Sequence, residues 1–127
     1  MRAAILSAIA VVIAVGSIAV PASASHKPNS WCSQSGDVCL SAKMSDGKRK
    51  LQIVLTSKFF GRYKLCVHAP DDSEACHTFR IRKRATEYGS SINWATHYPN
   101  KGSGSYDVDW KQTDGSRVGR ELEFHVR

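Results

Sequence analysis

The chain has 127 residues, with 18 Lys and Arg against 11 Asp and Glu, for a formal net charge of +7. That length excludes more than one sizeable core, because single domains run to about 100–150 residues. The positive balance points to anionic partners such as cell-wall polymers, acidic polysaccharide or anionic lipid; the plainer role for the charge is solubility.

Met1-Arg2 is a short basic start, followed by an apolar run from Ala3 to Val20 broken only by Ser7, Gly16 and Ser17. Pro21-Ala22-Ser23-Ala24 then supplies the small residues of an export cleavage site. The pattern predicts a secretory signal peptide over residues 1–24, and hence a secreted, extracellular protein with no membrane span after cleavage. A retained anchor is the rival reading, since the run approaches spanning length. No cysteine sits at the cleavage site, so no lipoprotein anchor is expected. Loss of Arg2 lowers the charge by one, to +6 over residues 25–127.

Residues 25–35 are polar at their start and are expected to form a flexible N-terminal segment, with the folded domain over residues 36–127. Val38-Leu40-Ala42-Met44 alternates with polar positions and predicts a strand with one buried face. Ser45-Asp46-Gly47-Lys48 has the Asp-Gly signature of a tight hairpin, and Leu51-Ile53-Leu55 continues as its second strand. Tyr63-Leu65-Val67 and Phe79-Ile81 flank the turn formers Pro70 to Ser73, which predicts a second hairpin. Placing Cys66 opposite Cys76 sets Tyr63 opposite Phe79 and Arg62 opposite Arg80. Tyr88 to Thr96 reads as a strand with Ile92 and Trp94 inward, and His97 to Gly104 as a loop dense in turn residues. Tyr106-Val108-Trp110 and Leu122-Phe124-Val126 are the last two strands, joined through Asp114-Gly115. Seven short strands with turns between them, and no mature stretch at helical spacing, predict an all-β, single antiparallel sandwich.

Four cysteines, Cys32, Cys39, Cys66 and Cys76, all follow the cleavage site. An even count in a small exported domain implies disulfides. Of three connectivities the local one, Cys32–Cys39 with Cys66–Cys76, is preferred because the second pair falls in hairpin register. The spacings do not fit C-x2-C zinc sites.

The strand count, with a Gly-x-Tyr-x-Val-x-Trp strand (Gly104 to Trp110) entered from a Pro/Gly loop, resembles an immunoglobulin-like sandwich. Antibody-type domains carry a core cysteine where this chain has Val108, so its disulfides are expected to be peripheral. The arrangement Gly-Arg-Tyr-x-Leu-Cys-Val, then Cys, then Phe-Arg-Ile-Arg-Lys-Arg, also resembles small exported bacterial proteins of unassigned role.

Strand parity sends Tyr63, Leu65, Val67, Phe79 and Ile81 to the core and Arg62, Lys64, Arg80, Arg82 and Arg84 to solvent. Like charges facing one another, as in Arg62 against Arg80, are destabilising. Two explanations stand side by side. An anionic partner held by arginine forks would account for the pair. Alternatively, if the third strand pairs with the sixth, Asp107 and Asp109 would lie beside Arg62 and Lys64 as an ion ladder, leaving Arg80, Arg82 and Arg84 as an outer ridge. The scattered histidines lack H-E-x-x-H spacing, and Gly102 to Ser105 lacks a nucleophile elbow. No catalytic residue, metal or cofactor is therefore expected, and nucleic acid is not the expected partner. The reading is a secreted, non-catalytic binding domain for an anionic cell-wall polymer or another extracellular protein. An exported protease inhibitor presenting residues 97–105 is the alternative, and a small secreted nuclease a third.

Overall fold

The computed structural model describes residues 26–127, so the expected signal peptide lies outside the described residues. Among the described residues nine strands and one helical turn follow in order: β1 (Ser30–Cys32), β2 (Val38–Ser45), β3 (Lys48–Leu55), β4 (Arg62–His68), β5 (Glu74–Arg80), β6 (Arg82–Arg84), β7 (Glu87–Asn93), α1 (Trp94–His97), β8 (Gly104–Lys111) and β9 (Leu122–Val126). They form two antiparallel sheets, β1-β2-β3-β7-β6 and β5-β4-β8-β9. β1 and β6 are the edge strands of the first sheet, and β5 and β9 those of the second.

Alternation explains the core. Leu51, Ile53 and Leu55 from one sheet meet Tyr63, Leu65, Tyr106, Val108, Trp110 and Leu122 from the other, all fully buried. Tyr106 and Phe124 stack at 5.2 Å, and Trp94 stands edge-on to both. The hairpin β4–β5 has the expected register, with Tyr63 opposite Phe79, Cys66 opposite Cys76 and Arg62 opposite Arg80. Both expected disulfides form, Cys32–Cys39 and Cys66–Cys76. Cys66 is nonetheless buried, so its bridge is less exposed than parity alone implies.

Three expectations are corrected. The expected fifth strand, Tyr88 to Thr96, ends at Asn93, and Trp94 opens a single helical turn closed by Tyr98 N–H donating to Trp94 O at 2.9 Å. The turn lets the bulky Trp94 and Tyr98 fold back over the open end of the core, where both are buried. Ser30–Cys32, in the segment expected to be flexible, pairs with β2 as an edge strand. Arg82–Arg84 is a separate strand, β6, of the opposite sheet from Arg80.

The sandwich is stitched at both sides. At one, the chain steps between sheets at Ile81, whose N–H donates to Gly61 O at 2.9 Å. At the other, Glu123 N–H donates to Pro28 O and Ala42 N–H to Asn29 O, so the N-terminal segment joins β9 to the β1–β2 edge. Gly89 allows β7 to lie close on β3: a Cβ there would overlap the Ile53 carbonyl oxygen.

Candidate anion-binding surface

The outer face of the sheet β5-β4-β8-β9 is a set of cross-strand rows. One row is Glu74, His68, Asp107 and Glu123; the next runs Cys76, Cys66, Asp109; then come Thr78, Lys64, Lys111; last is Arg80 opposite Arg62. The face is therefore acidic at one end and basic at the other.

This arrangement overturns the expected ion ladder. β4 does pair with β8, but Lys64 faces Lys111, and Arg62 lies beyond the last paired row. The reason is direction. Both strands carry their chemistry asymmetrically, with the cations early in β4 and, in β8, the carboxylates ahead of a lysine at the strand's end. Antiparallel pairing sets the start of one strand against the end of the other, so basic meets basic and His68 meets Asp107.

Two carboxylates of this face, Asp107 and Asp109, are matched from elsewhere. Lys27 Nζ lies 2.6 Å from Glu121 and 3.1 Å from Asp107. Its hydrogen bond to Glu121, with Asp107 adding to it, holds the Lys27 ammonium above the usual lysine range despite some desolvation. Arg117 grips the buried Asp109 carboxylate with two donors, at 2.8 and 3.0 Å, and reaches Glu121 at 3.6 Å. That fork raises the Arg117 pKa further above its ordinary value. His26 completes the cover at 3.5 Å from Glu123.

The basic end has no such cover. Arg62, Lys64, Arg80, Arg82 and Arg84 are all exposed, and none forms an ion pair among the described residues. Arg62, Arg80 and Arg82 come together with Lys58, Gly61 and Ile81 around a shallow recess of about 430 Å³. The sheet crossing at Ile81 creates it, because Arg80 ends one sheet and Arg82 begins the other. The expected continuous ridge Arg80-Arg82-Arg84 is thus divided: Arg84 sits two residues along β6, opposite Glu87, and Lys64 sits two along β4, opposite Thr78. Neither lines the recess. Lys58 was not anticipated, since it precedes β4 in an irregular link with no periodic signal.

Two other constellations have less reach. Ser105 Oγ and His125 Nδ1 lie 3.0 Å apart, but they are cross-strand neighbours on an exposed face, and no carboxylate pairs with His125 among the described residues. A nucleophile and base without an orienting third group fall short of a catalytic triad. Glu74 lies 3.4 Å from Cys76 Sγ, yet both sulfurs of that group are tied in a disulfide and offer no thiolate to a metal.

The loop after α1 is held by one side chain. Tyr106 Oη donates to Gly102 O at 2.7 Å and accepts from Lys101 N–H at 2.9 Å, and Asn100 Oδ1 lies 3.3 Å away. A tyrosine near the start of β8 is thus bonded back to backbone a few residues upstream. Among proteins of known family, curated proteins and solved structures alike, nothing matches this chain.

Proposed function

We propose that this protein is an exported, non-catalytic immunoglobulin-like binding domain that engages an anionic cell-envelope or extracellular polymer through the recess formed by Lys58, Arg62, Arg80 and Arg82, flanked by Lys64 and Arg84. One observation carries the reading: on a single sheet face Asp107 and Asp109 are matched by Lys27 and Arg117, while Arg62, Arg80 and Arg82 at the other end stand together without counter-ions among the described residues. Keeping Arg62 against Arg80 costs stability, and an anion bridging the two guanidinium groups removes that cost. Two disulfides in a small domain fit an extracellular setting. The test is salt-graded retention on heparin and on purified cell-wall polymer. Wild type is expected to be retained and Arg80→Ala/Arg82→Ala to elute at clearly lower salt; identical elution sinks the site.

A second reading, enzyme inhibition by residues 97–105, is favoured by the Tyr106 tether, because a pre-organised loop loses little entropy on binding. Residual activity of a panel of secreted proteases, titrated with the protein, decides it: unimpaired activity throughout removes this reading.

A further inference from the structure

At the end of the sandwich where the β2–β3 turn, α1 and the end of β9 meet, a cleft of about 510 Å³ opens. That volume lies within the range of about 300–1,000 Å³ typical of small-molecule sites. Its walls are mostly apolar, with Met44, Trp94, Ala95 and Val126 among them, and Met44 is 56% exposed. Its charged side chains are cationic: Lys48, Arg49 and Arg127 line it, with His125 beside them, and no Asp or Glu side chain among the described residues does.

Arg49 is the unusual member. Its Nη1 donates to Ala42 O at 2.9 Å and its Nη2 to His125 O at 3.2 Å, and the guanidinium lies 4.9 Å from the Phe124 ring centre. These contacts hold the group in place. They are all with uncharged partners, and Arg49 forms no ion pair among the described residues. Burial draws its pKa below the ordinary arginine value, the sign of a charge partly removed from water without a counter-ion. A desolvated cation of this kind is costly unless an anion accompanies it. Apolar walls beside a fixed, unmatched guanidinium are complementary to one kind of molecule, an apolar chain ending in a single negative charge.

We propose that this cleft binds a single-chain carboxylate amphiphile, with the carboxylate on Arg49 and Lys48 and the hydrocarbon against Met44, Trp94 and Val126. The site is separate from the basic recess and independent of it. The probe is sodium decanoate below its micellar range, added to the full domain and followed by calorimetry and by tryptophan emission. Decyl glucoside and decyltrimethylammonium serve as neutral and cationic counterparts with the same tail. Saturable 1:1 binding of decanoate is expected, with the neutral analogue at least about tenfold weaker, as loss of a charge-assisted contact implies. Arg49→Gln and Ala95→Trp, which fills the cleft, should each weaken decanoate by roughly tenfold or more, whereas Arg80→Ala/Arg82→Ala should leave it unchanged. Absence of saturable binding, equal binding of the cationic counterpart, or loss that follows Arg80→Ala/Arg82→Ala overturns the proposal. If Arg49→Gln does not fold, Lys48→Gln and Ala95→Trp decide, since both positions are exposed: weaker binding in both upholds the site, and unchanged binding in either removes it.

Discussion

Two substitutions that remove the same single charge should have opposite effects, because Lys27 and Arg62 sit at opposite ends of one sheet face. Lys27→Gln breaks the contacts to Glu121 and Asp107. The lysine is partly exposed, so the loss is discounted to about 0.5–1 kcal/mol, which lowers Tm by roughly 2–6 °C for a domain of this size. Arg62→Gln instead removes one partner of the Arg62–Arg80 like-charge pair and should leave stability unchanged or raise it by a few tenths of a kcal/mol, in the order of ~0.3. Binding should respond the other way. Losing one exposed guanidinium contact costs about 1 kcal/mol, or about fivefold in affinity, and flattens the log-affinity against log-salt slope by roughly 0.7. Lys27 faces Asp107, whose cross-strand partner is His68, six residues along β4 from Arg62. At about 3.3 Å per residue that is about 20 Å. The screening length in physiological salt is about 8 Å, so the influence of Lys27 on an anion at Arg62 falls to under about a tenth of its unscreened value. The assays are thermal melting and heparin affinity at several salt concentrations, run on both variants. Equal weakening by the two would mean that net charge alone attracts the polymer, and a full-strength Arg62→Gln would remove the recess from the site; either refutes the argument.

Three further outcomes follow from the packing. Burial pushes the Tyr63 hydroxyl up to about 12 from its ordinary 10, outweighing the hydrogen bond to Ser90 and the nearby Arg84; the neutral form is favoured in the fold, so its stability contribution is complete below pH 10 and about 3 kcal/mol is lost as pH rises through 10 to 12. Tyr98 shifts in the same direction by burial, so urea titrations should show steep alkaline loss that Tyr63→Phe reduces without abolishing; a variant curve parallel to wild type counts against the assignment. Tyr106→Phe deletes the hydroxyl that ties Lys101 and Gly102, which should cost about 2 kcal/mol and admit proteolysis at residues 100–104, while unchanged melting and cleavage would show that the tether is dispensable. Gly89→Ala forces a Cβ into the Ile53 carbonyl, whereas Gly115 faces open space at a φ of +92°; the first should cost at least about 3 kcal/mol or prevent folding and the second about 1 kcal/mol, with similar melting temperatures refuting the close approach.

Local periodicity carried much of this protein on its own. Alternation in β2, β3, β4, β8 and β9, an Asp-Gly turn, and cysteines spaced to meet across a hairpin determined an all-β sandwich, its two disulfides and the inward set Tyr63, Leu65, Val67 and Ile81. These were legible because side-chain alternation and turn chemistry act over a few residues. What escaped lacks such a signal: β6 is Arg-Lys-Arg with every residue exposed, and Trp94 looks like one more alternating strand residue until Tyr106 and Phe124 are there to receive it. The charge pattern was decided only by tertiary structure. Lys27 lies far along the chain from Asp107 and Glu121, and only the path of the N-terminal segment brings it in, while the link before β9 turns the nearby Arg117 back onto Asp109. The same sheet face could have been self-neutralising or polarised with identical composition. The antiparallel register of β4 on β8, together with the sheet crossing at Ile81, chose polarised, leaving Arg62, Arg80 and Arg82 grouped and unmatched.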